Sequence, residues 1–183
     1  LRTDARHVLW RKKKRNRPQG RSWKKGVLRM KAAIFTIDSG IYKAKAESAA
    51  ATALKRMLEH VGFQVKAAGA LPQDRAMTAE VMRQLSDASA VDLILTTGAV
   101  EYGEEDCAPD ALMDVADRLL PGIPEALRAY NIRYSKKIIL DRSAAGIRKK
   151  TLLINLPESA KTAKEDMEYI LPEVVQVVEA LSL

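Results

Sequence analysis

Residues 92–110 read DLILTTGAVEYGEEDCAPD, and this stretch decides the fold class of the chain. The apolar run Leu93–Leu95 ends in Thr96-Thr97-Gly98, a polar loop follows, and an apolar stretch from Ala111 restarts regular structure. The loop carries four carboxylates, which are Glu101, Glu104, Glu105 and Asp106. A strand, a polar loop and a helix in this order are typical of α/β sheets, whose ligand-binding groups lie beyond the strand C-termini.

Strand-like and helix-like segments alternate along the rest of the chain. Further strands are predicted at 31–37, 63–68, 138–140 and 151–154. Helices are predicted at about 46–61, 75–86 and 111–119, from Pro124 onward, and from about Met167 to Leu181, the last broken or kinked at Pro172. The alternation predicts an α/β fold, three-layered and doubly wound, with a mostly parallel sheet formed by residues 31–183.

The charge of the chain is concentrated at its N-terminus. The 183 residues carry a net charge of +8, but residues 1–30 contain twelve Lys or Arg and one acid, which leaves −3 for the remainder.

Cys107 is the single cysteine, so we expect a reducing, cytoplasmic compartment and no disulfide framework. His7 and His60 are too few for a histidine metal site or a Ser-His-Asp triad. No apolar run reaches the ~18 residues of a transmembrane helix, so no membrane association is expected.

Residues 11–18, RKKKRNRP, form a block of like charge, and we expect residues 1–30 to be a disordered extension. One interpretation is an arm that binds nucleic acid or an anionic membrane, with Trp10 and Trp23 stacking on bases. The other is that the segment does not belong to the native protein and that Met30 is the natural start. A basic block alone is a weak signal and does not distinguish these two interpretations.

The loops after the predicted parallel strands gather at one edge of the sheet. They are residues 38–40, 72–74, 96–110 and 155–159. Together they supply hydroxyls, carboxylates and backbone N–H groups, a set that suits a phosphate-bearing ligand with a divalent metal. The alternatives are that 38–40 and 155–157 are simple turns and that the acidic run at 104–106 is a solvated loop.

Four ordered motifs give the chain a resemblance to the MoaB/MogA family of molybdenum cofactor biosynthesis proteins. They are 96–111, similar to the family's TTGGTG and RDVTPEA; 121–128, similar to PGIPEAMR; 142–148, similar to SRAVAGIR; and 155–161, similar to NLPGSPK. The resemblance implies the MoaB/Mog molybdopterin-binding fold and commonly a homotrimer. It also implies molybdopterin and ATP as substrates, with Mg²⁺, because catalytic members transfer AMP from Mg·ATP to the terminal phosphate of molybdopterin.

The resemblance also implies particular site residues. Asp106 is expected to be the main catalytic and Mg²⁺-binding carboxylate, with Asp74 as the second. The positions implied for binding of nucleotide or pterin are Asp38, Ser39, Thr96, Thr97, Gly98, Pro109, Arg142, Gly146, Asn155, Pro157 and Ser159.

The chain departs from the family pattern in the loops that face these ligands. Ala99 and Glu101 replace two glycines, Val100 replaces a threonine, and Glu105 reverses the charge of an arginine. Further departures are Gln73, Asp141 and Glu158. Extra side chains and negative charge oppose a close approach of phosphate. A catalytically degenerate member that binds a pterin, or serves as an interaction subunit, is therefore the alternative to an adenylyltransferase.

Overall fold

The computed structural model describes residues 30–183; the predictions for residues 1–29 lie outside this range. The strands are β1 (Lys31–Ile37), β2 (Gln64–Leu71), β3 (Leu93–Thr97), β4 (Arg118–Leu119), β5 (Ala145–Arg148) and β6 (Thr151–Leu156). The α-helices are α1 (Ser39–Ala44), α2 (Ala49–His60), α3 (Arg75–Asp87), α4 (Ala108–Val115), α5 (Gly122–Asn131) and α6 (Ala160–Ser182). A short 3₁₀ helix spans Lys136–Leu140.

The six strands form one sheet in the order β2-β1-β3-β6-β5-β4. The first four strands run parallel, and β5 and β4 are added antiparallel at one side. Parallel neighbours require a crossover, and α2, α3 and α4 provide the crossovers by lying between consecutive parallel strands. The mostly parallel sheet predicted from the sequence is confirmed.

Successive residues of the central strands belong to different hydrophobic clusters, which demonstrates three layers. In β3, Leu93 and Leu95 pack with α2 and α6, whereas Ile94 packs with α3 and α4. Because side chains alternate across a strand, the two helix pairs cover opposite faces. All five residues of β3 are buried, as expected for a strand covered on both sides.

Two of the predicted elements are wrong. Ile138–Leu140 is not a strand but lies in the 3₁₀ helix, where Ile139 and Leu140 are 67% and 50% exposed and find no sheet partner. Pro172 does not split the last helix, since α6 continues through it. Pro172 faces solvent, while Met167 and Val174 on either side of it are buried in one core, so packing outweighs the lost backbone hydrogen bond.

Other boundaries shift by a few residues. The helix predicted at 111–119 is α4 at 108–115, and Arg118–Leu119 pairs with β5 instead. The short strand β5 and the helix α1 were not predicted. Between residues 30 and 183, no helix has both the length and the apolar character needed to cross a membrane.

Candidate functional site

The loops after β1 and β2 are joined at the carboxyl edge of the sheet. Ser39 Oγ accepts a hydrogen bond from the backbone N–H of Gln73 at 3.0 Å, and Ser39 N–H donates to Gln73 Oε1 at 3.4 Å. Asp38 begins α1, because its Oδ1 accepts from the N–H of Ile41 at 2.7 Å. Asp74 begins α3 in the same way, accepting from Met77 N–H at 2.8 Å. The two loops are therefore held in fixed relation.

Gly98 is the point at which the loops after β1, β3 and β6 meet. Its φ is +83°, and a Cβ built there would lie 3.1 Å from the carbonyl oxygen of Ile37 and 3.8 Å from Cβ of Glu158. Ala99 follows with φ +53°, a conformation that costs energy for a residue with a Cβ. Two successive residues of positive φ turn the chain sharply out of β3, which brings its loop over the edge of the sheet.

The threonines of the predicted site lie beneath this turn and are bonded to other protein groups. Thr96 and Thr97 are 1% and 0% exposed. Thr96 Oγ accepts from Asn155 Nδ2 at 2.7 Å, and Thr97 Oγ lies 3.0 Å from Thr36 Oγ. Asn155 Oδ1 accepts from the N–H of Ala144 at 3.1 Å. This buried network ties β1, β3 and β6 together and positions the loops above it.

Asp106 lies at the end of the acidic loop and closes it. Its Oδ2 accepts from the N–H of Gly103 at 2.8 Å, and its carbonyl accepts from Arg142 at 3.2 Å. Arg142 also donates to both carboxylate oxygens of Asp110 at 2.8 Å, a geometry that restrains the guanidinium strongly. The backbone N–H of Arg142 donates to the carbonyl of Val100 at 2.8 Å. Arg142 therefore fixes the loop instead of projecting freely from it.

Cys107, which is 8% exposed, follows Asp106 directly and lies at the start of α4. Burial raises the pKa of this thiol, and the negative charges of Asp74, Asp110 and Asp106 raise it further. Asp74 belongs to the loop after β2 and Asp106 to the loop after β3, so both predicted metal ligands lie in loops at the carboxyl ends of parallel strands. No group of three or more His, Cys, Asp and Glu side chains within residues 30–183 is arranged to hold a metal ion by itself.

A cavity of about 590 Å³ opens beside the acidic loop. Its volume falls within the range of sites for small organic ligands. Its charged and aromatic lining consists of Glu101, Tyr102, Tyr130, Tyr134, Lys137, Asp141, Lys161 and Glu165. Pro157 is the single member of the predicted site among its lining residues, although Val100 and Glu101 extend the wall from the loop that begins at Gly98.

The remaining predicted positions have structural surroundings. Gly146 lies in β5, where an added Cβ would come within 2.8 Å of Ala116 Cβ and 2.9 Å of the carbonyl oxygen of Arg118. Pro109 is buried in the first turn of α4. Ser159 begins α6 by accepting from the N–H of Thr162 at 3.4 Å. Steric crowding by Ala116 and Arg118 therefore explains why position 146 is a glycine, and no bound ligand is needed to explain it.

The sequence did not point to Tyr130, Tyr134 or Lys137. These residues come from the end of α5 and the segment that follows it, which lies between two recognisable motifs. Tyr130 stacks on Tyr169 with ring centroids 4.5 Å apart, and Tyr134 meets Tyr130 edge-on at 5.9 Å. Two tyrosines four residues apart in a basic segment were the available signal, but no local pattern placed them beside the acidic loop.

The fold and the edge loops together define a doubly wound α/β domain with a set of polar loops at the carboxyl edge of its parallel strands. The family described as "Probable molybdopterin binding domain" matches residues 33–176. The chain belongs to this family, and the resemblance seen in its sequence motifs is confirmed.

Known proteins agree with this assignment. A MoaB molybdopterin biosynthesis enzyme from Thermus thermophilus is 30% identical with a TM-score of 0.74, over 82% of this chain and 97% of that structure. The Mog protein from Mycobacterium ulcerans, at 21% identity, has the same fold, with a TM-score of 0.77 over 85% of this chain and 99% of that structure. The molybdopterin adenylyltransferase of Escherichia coli K12 is 36% identical over 98 residues, which are 54% of this chain. The chain spans 50% of the length of that relative.

Proposed function

We propose that this protein acts in molybdenum cofactor biosynthesis by binding molybdopterin at the carboxyl edge of its sheet and transferring AMP to it from Mg·ATP. The observation that carries the proposal is the sharp turn at Gly98 after β3, with Asp106 in the loop that follows this turn and Asp74 in the loop after β2 of the same parallel sheet. The relatives named as molybdopterin adenylyltransferases support the same reaction.

The carboxylates suit Mg²⁺ because each keeps an oxygen available. Asp74 uses Oδ1 to cap α3 and Asp106 uses Oδ2 to hold Gly103, whereas their other oxygens accept no hydrogen bond from residues 30–183. Mg²⁺ commonly takes one or two protein carboxylates and completes its shell with water and substrate phosphate, so a preformed set of three ligands is not required. When bound, the ion neutralises charge on the phosphates.

The backbone of the loop supplies groups for the phosphates themselves. The N–H groups of Ala99, Val100 and Glu101 donate to no acceptor within the part of the chain that the structure describes. Consecutive N–H groups after a left-handed turn form a concave site that suits an anion. Gly98 keeps this turn close to Ile37 and Glu158, where a side chain has no room.

The direct test is an assay of AMP transfer to molybdopterin with Mg·ATP. Asp106→Asn should lower turnover by about 100-fold or more, as loss of a charge-positioning group typically does. Glu104→Gln is the matched control, since Glu104 is an exposed carboxylate of the same loop, and its turnover should stay close to that of the parent. Absence of turnover in folded protein that binds molybdopterin would refute the adenylation step.

The acidic loop favours a second candidate function, which is molybdopterin binding without adenylation. Glu101, Glu104 and Glu105 are exposed, and no Lys or Arg nitrogen of residues 30–183 lies within 4.0 Å of their carboxylates. Their charge opposes the entry of a triphosphate. Calorimetry with Mg·ATP distinguishes the two: clear binding that Asp106→Asn abolishes supports the enzyme, and no heat of binding supports the second candidate.

The homotrimer implied by the resemblance stays a prediction, which light scattering on the purified chain tests.

A further inference from the structure

Glu158 lies against the sharp turn at Gly98, although it comes from a different loop of the carboxyl edge. We propose that Glu158 is a specificity-determining residue, which makes the binding of a phosphate chain at this turn depend on a divalent cation. Its charge disfavours a free polyphosphate and admits the magnesium-bound form. This inference rests on the proposed function, since it takes the N–H groups after Gly98 as the groups that hold the phosphates of the substrate.

The position of Glu158 follows from the pairing of β3 with β6. Thr97 lies opposite Leu156 in this parallel pair, and the N–H of Gly98 donates to the carbonyl oxygen of Leu156 at 3.1 Å. Glu158 comes two residues after Leu156, and the next residue, Ser159, is the N-cap of α6. The backbone on both sides of Glu158 is therefore fixed relative to the turn.

The side chain of Glu158 reaches the turn itself. A Cβ built on Gly98 would lie 3.8 Å from both Cβ and Cγ of Glu158. Because a C–C bond is about 1.5 Å long, the carboxyl carbon of Glu158 lies within about 5.5 Å of the same point. The N–H groups at 99–101 follow Gly98 directly, so an anion held by them lies close to a negative charge.

The fold does not compensate the charge of Glu158. Its side chain is exposed, and no Lys or Arg nitrogen of residues 30–183 lies within 4.0 Å of its carboxylate. Two like charges ~6 Å apart near a protein surface repel each other strongly enough to change an affinity by roughly tenfold. A divalent cation on the phosphate chain reduces this repulsion, because it neutralises phosphate charge.

Glu158 differs from Asp106 in how its carboxylate is held. Asp106 is fixed, because its Oδ2 accepts from the N–H of Gly103 and its carbonyl oxygen accepts from Arg142. The carboxylate of Glu158 accepts no hydrogen bond from residues 30–183, so the fold does not orient it as a metal ligand. A charge acts over several ångströms without a fixed orientation, which suits Glu158 to an electrostatic role.

The experiment is a calorimetric titration of the full chain with inorganic tripolyphosphate, once with excess Mg²⁺ and once with EDTA. The parent should bind at least tenfold more tightly with Mg²⁺ than with EDTA. In EDTA, Glu158→Gln should bind about tenfold more tightly than the parent, and its gain from Mg²⁺ should be smaller by the same factor.

Two controls separate the charge of Glu158 from other effects. Raising the salt to about 1 M should narrow the difference between parent and variant, because the screening length falls to about 3 Å. Glu179→Gln removes the same charge from an exposed residue of α6, about 28 Å along the helix from its first residue, and should bind like the parent.

Four results would overturn the inference. They are an equal gain from Mg²⁺ in parent and Glu158→Gln, no binding of tripolyphosphate by either, a difference that high salt leaves unchanged, and weaker binding by the variant in Mg²⁺, which would make Glu158 a ligand of the cation.

The AMP-transfer assay separates this failure from failure of the proposed function. If the parent transfers AMP but Glu158→Gln keeps the parent's dependence on Mg²⁺, the role of Glu158 is refuted and the proposed function stands. If tripolyphosphate binding responds to Glu158→Gln as expected but the parent transfers no AMP, the role of Glu158 stands and the proposed adenylation is refuted.

Discussion

Asp166 offers the sharpest test of how the buried polar groups behave. It is 2% exposed on α6, and its carboxylate accepts from Asn131 Nδ2. Burial raises its pKa from 3.8 to about 6, the bond from Asn131 lowers the pKa, and the nearby charges of Asp141 and Glu165 raise it. The native state therefore keeps a proton that the unfolded chain has already lost, at every pH between these two values.

The substitution Asp166→Asn removes this ionisation and keeps an oxygen for Asn131. Because the native pKa is raised, the parent loses stability as the pH rises from 3.8 to about 6, and the full cost is present above that range. A difference of about 2 pKa units corresponds to roughly 3 kcal/mol. The variant should therefore be more stable than the parent by an amount of that order at pH 8, and the gain should shrink toward zero near pH 4.

Urea unfolding of parent and variant at pH 4.5, 6, 7 and 8 measures the difference. Asp87→Asn is the control, because the pKa of Asp87 is shifted in the opposite direction: Arg148 lowers it to about 2. Its carboxylate is ionised in both states above 3.8, so that variant should be destabilised by a constant amount over the same range. A gain for Asp166→Asn that is equal at pH 4.5 and pH 8, or a loss at pH 8, would refute the reasoning.

Three further substitutions test the packing that supports the site. Gly146→Ala should destabilise by about 1–3 kcal/mol in urea unfolding, since the new methyl meets Ala116 at 2.8 Å; no loss would show that β5 has room to move. Asn155→Ala should cost about 1–3 kcal/mol because it leaves the backbone N–H of Ala144 without its side-chain acceptor, and a stability equal to the parent would contradict the buried network. Pro172→Ala should stabilise α6 by up to ~3 kcal/mol, visible as a higher Tm, and a lower Tm would mean that the ring of Pro172 packs usefully.

The centre of the sheet was predictable from the sequence because its signals are local. β1, β3 and β6 are buried apolar runs that end in turn-forming residues. A continuous apolar run is the sequence signal of a strand that is covered on both faces. β5 was missed because Ala145–Arg148 is short and contains Gly146, which reads as a poor strand former. The continuation of α6 past Pro172 depends on burial on both sides of that residue, which no local rule contains.

The candidate site was predictable in part for the same reason. The loops after the parallel strands follow from topology, so the sequence predicted Asp74, Gly98 and Asp106 at one edge of the sheet, and their roles there stay predictions. The hydrogen bond between Thr96 and Asn155 was not predicted, because the sequence motif is identical whether the Thr96 hydroxyl contacts a ligand or a protein side chain. Tyr130 and Tyr134 come from a distant segment, and only the folded chain places them beside Glu101.

The measurement that tests the central claim most directly is a crystal structure of the chain with molybdopterin and Mg·ATP. The account predicts phosphate within hydrogen-bond distance of the backbone N–H groups at 99–101 and Mg²⁺ on Asp106. Molybdopterin bound elsewhere on the chain, or a carboxyl edge that stays empty at saturating ligand, would contradict it.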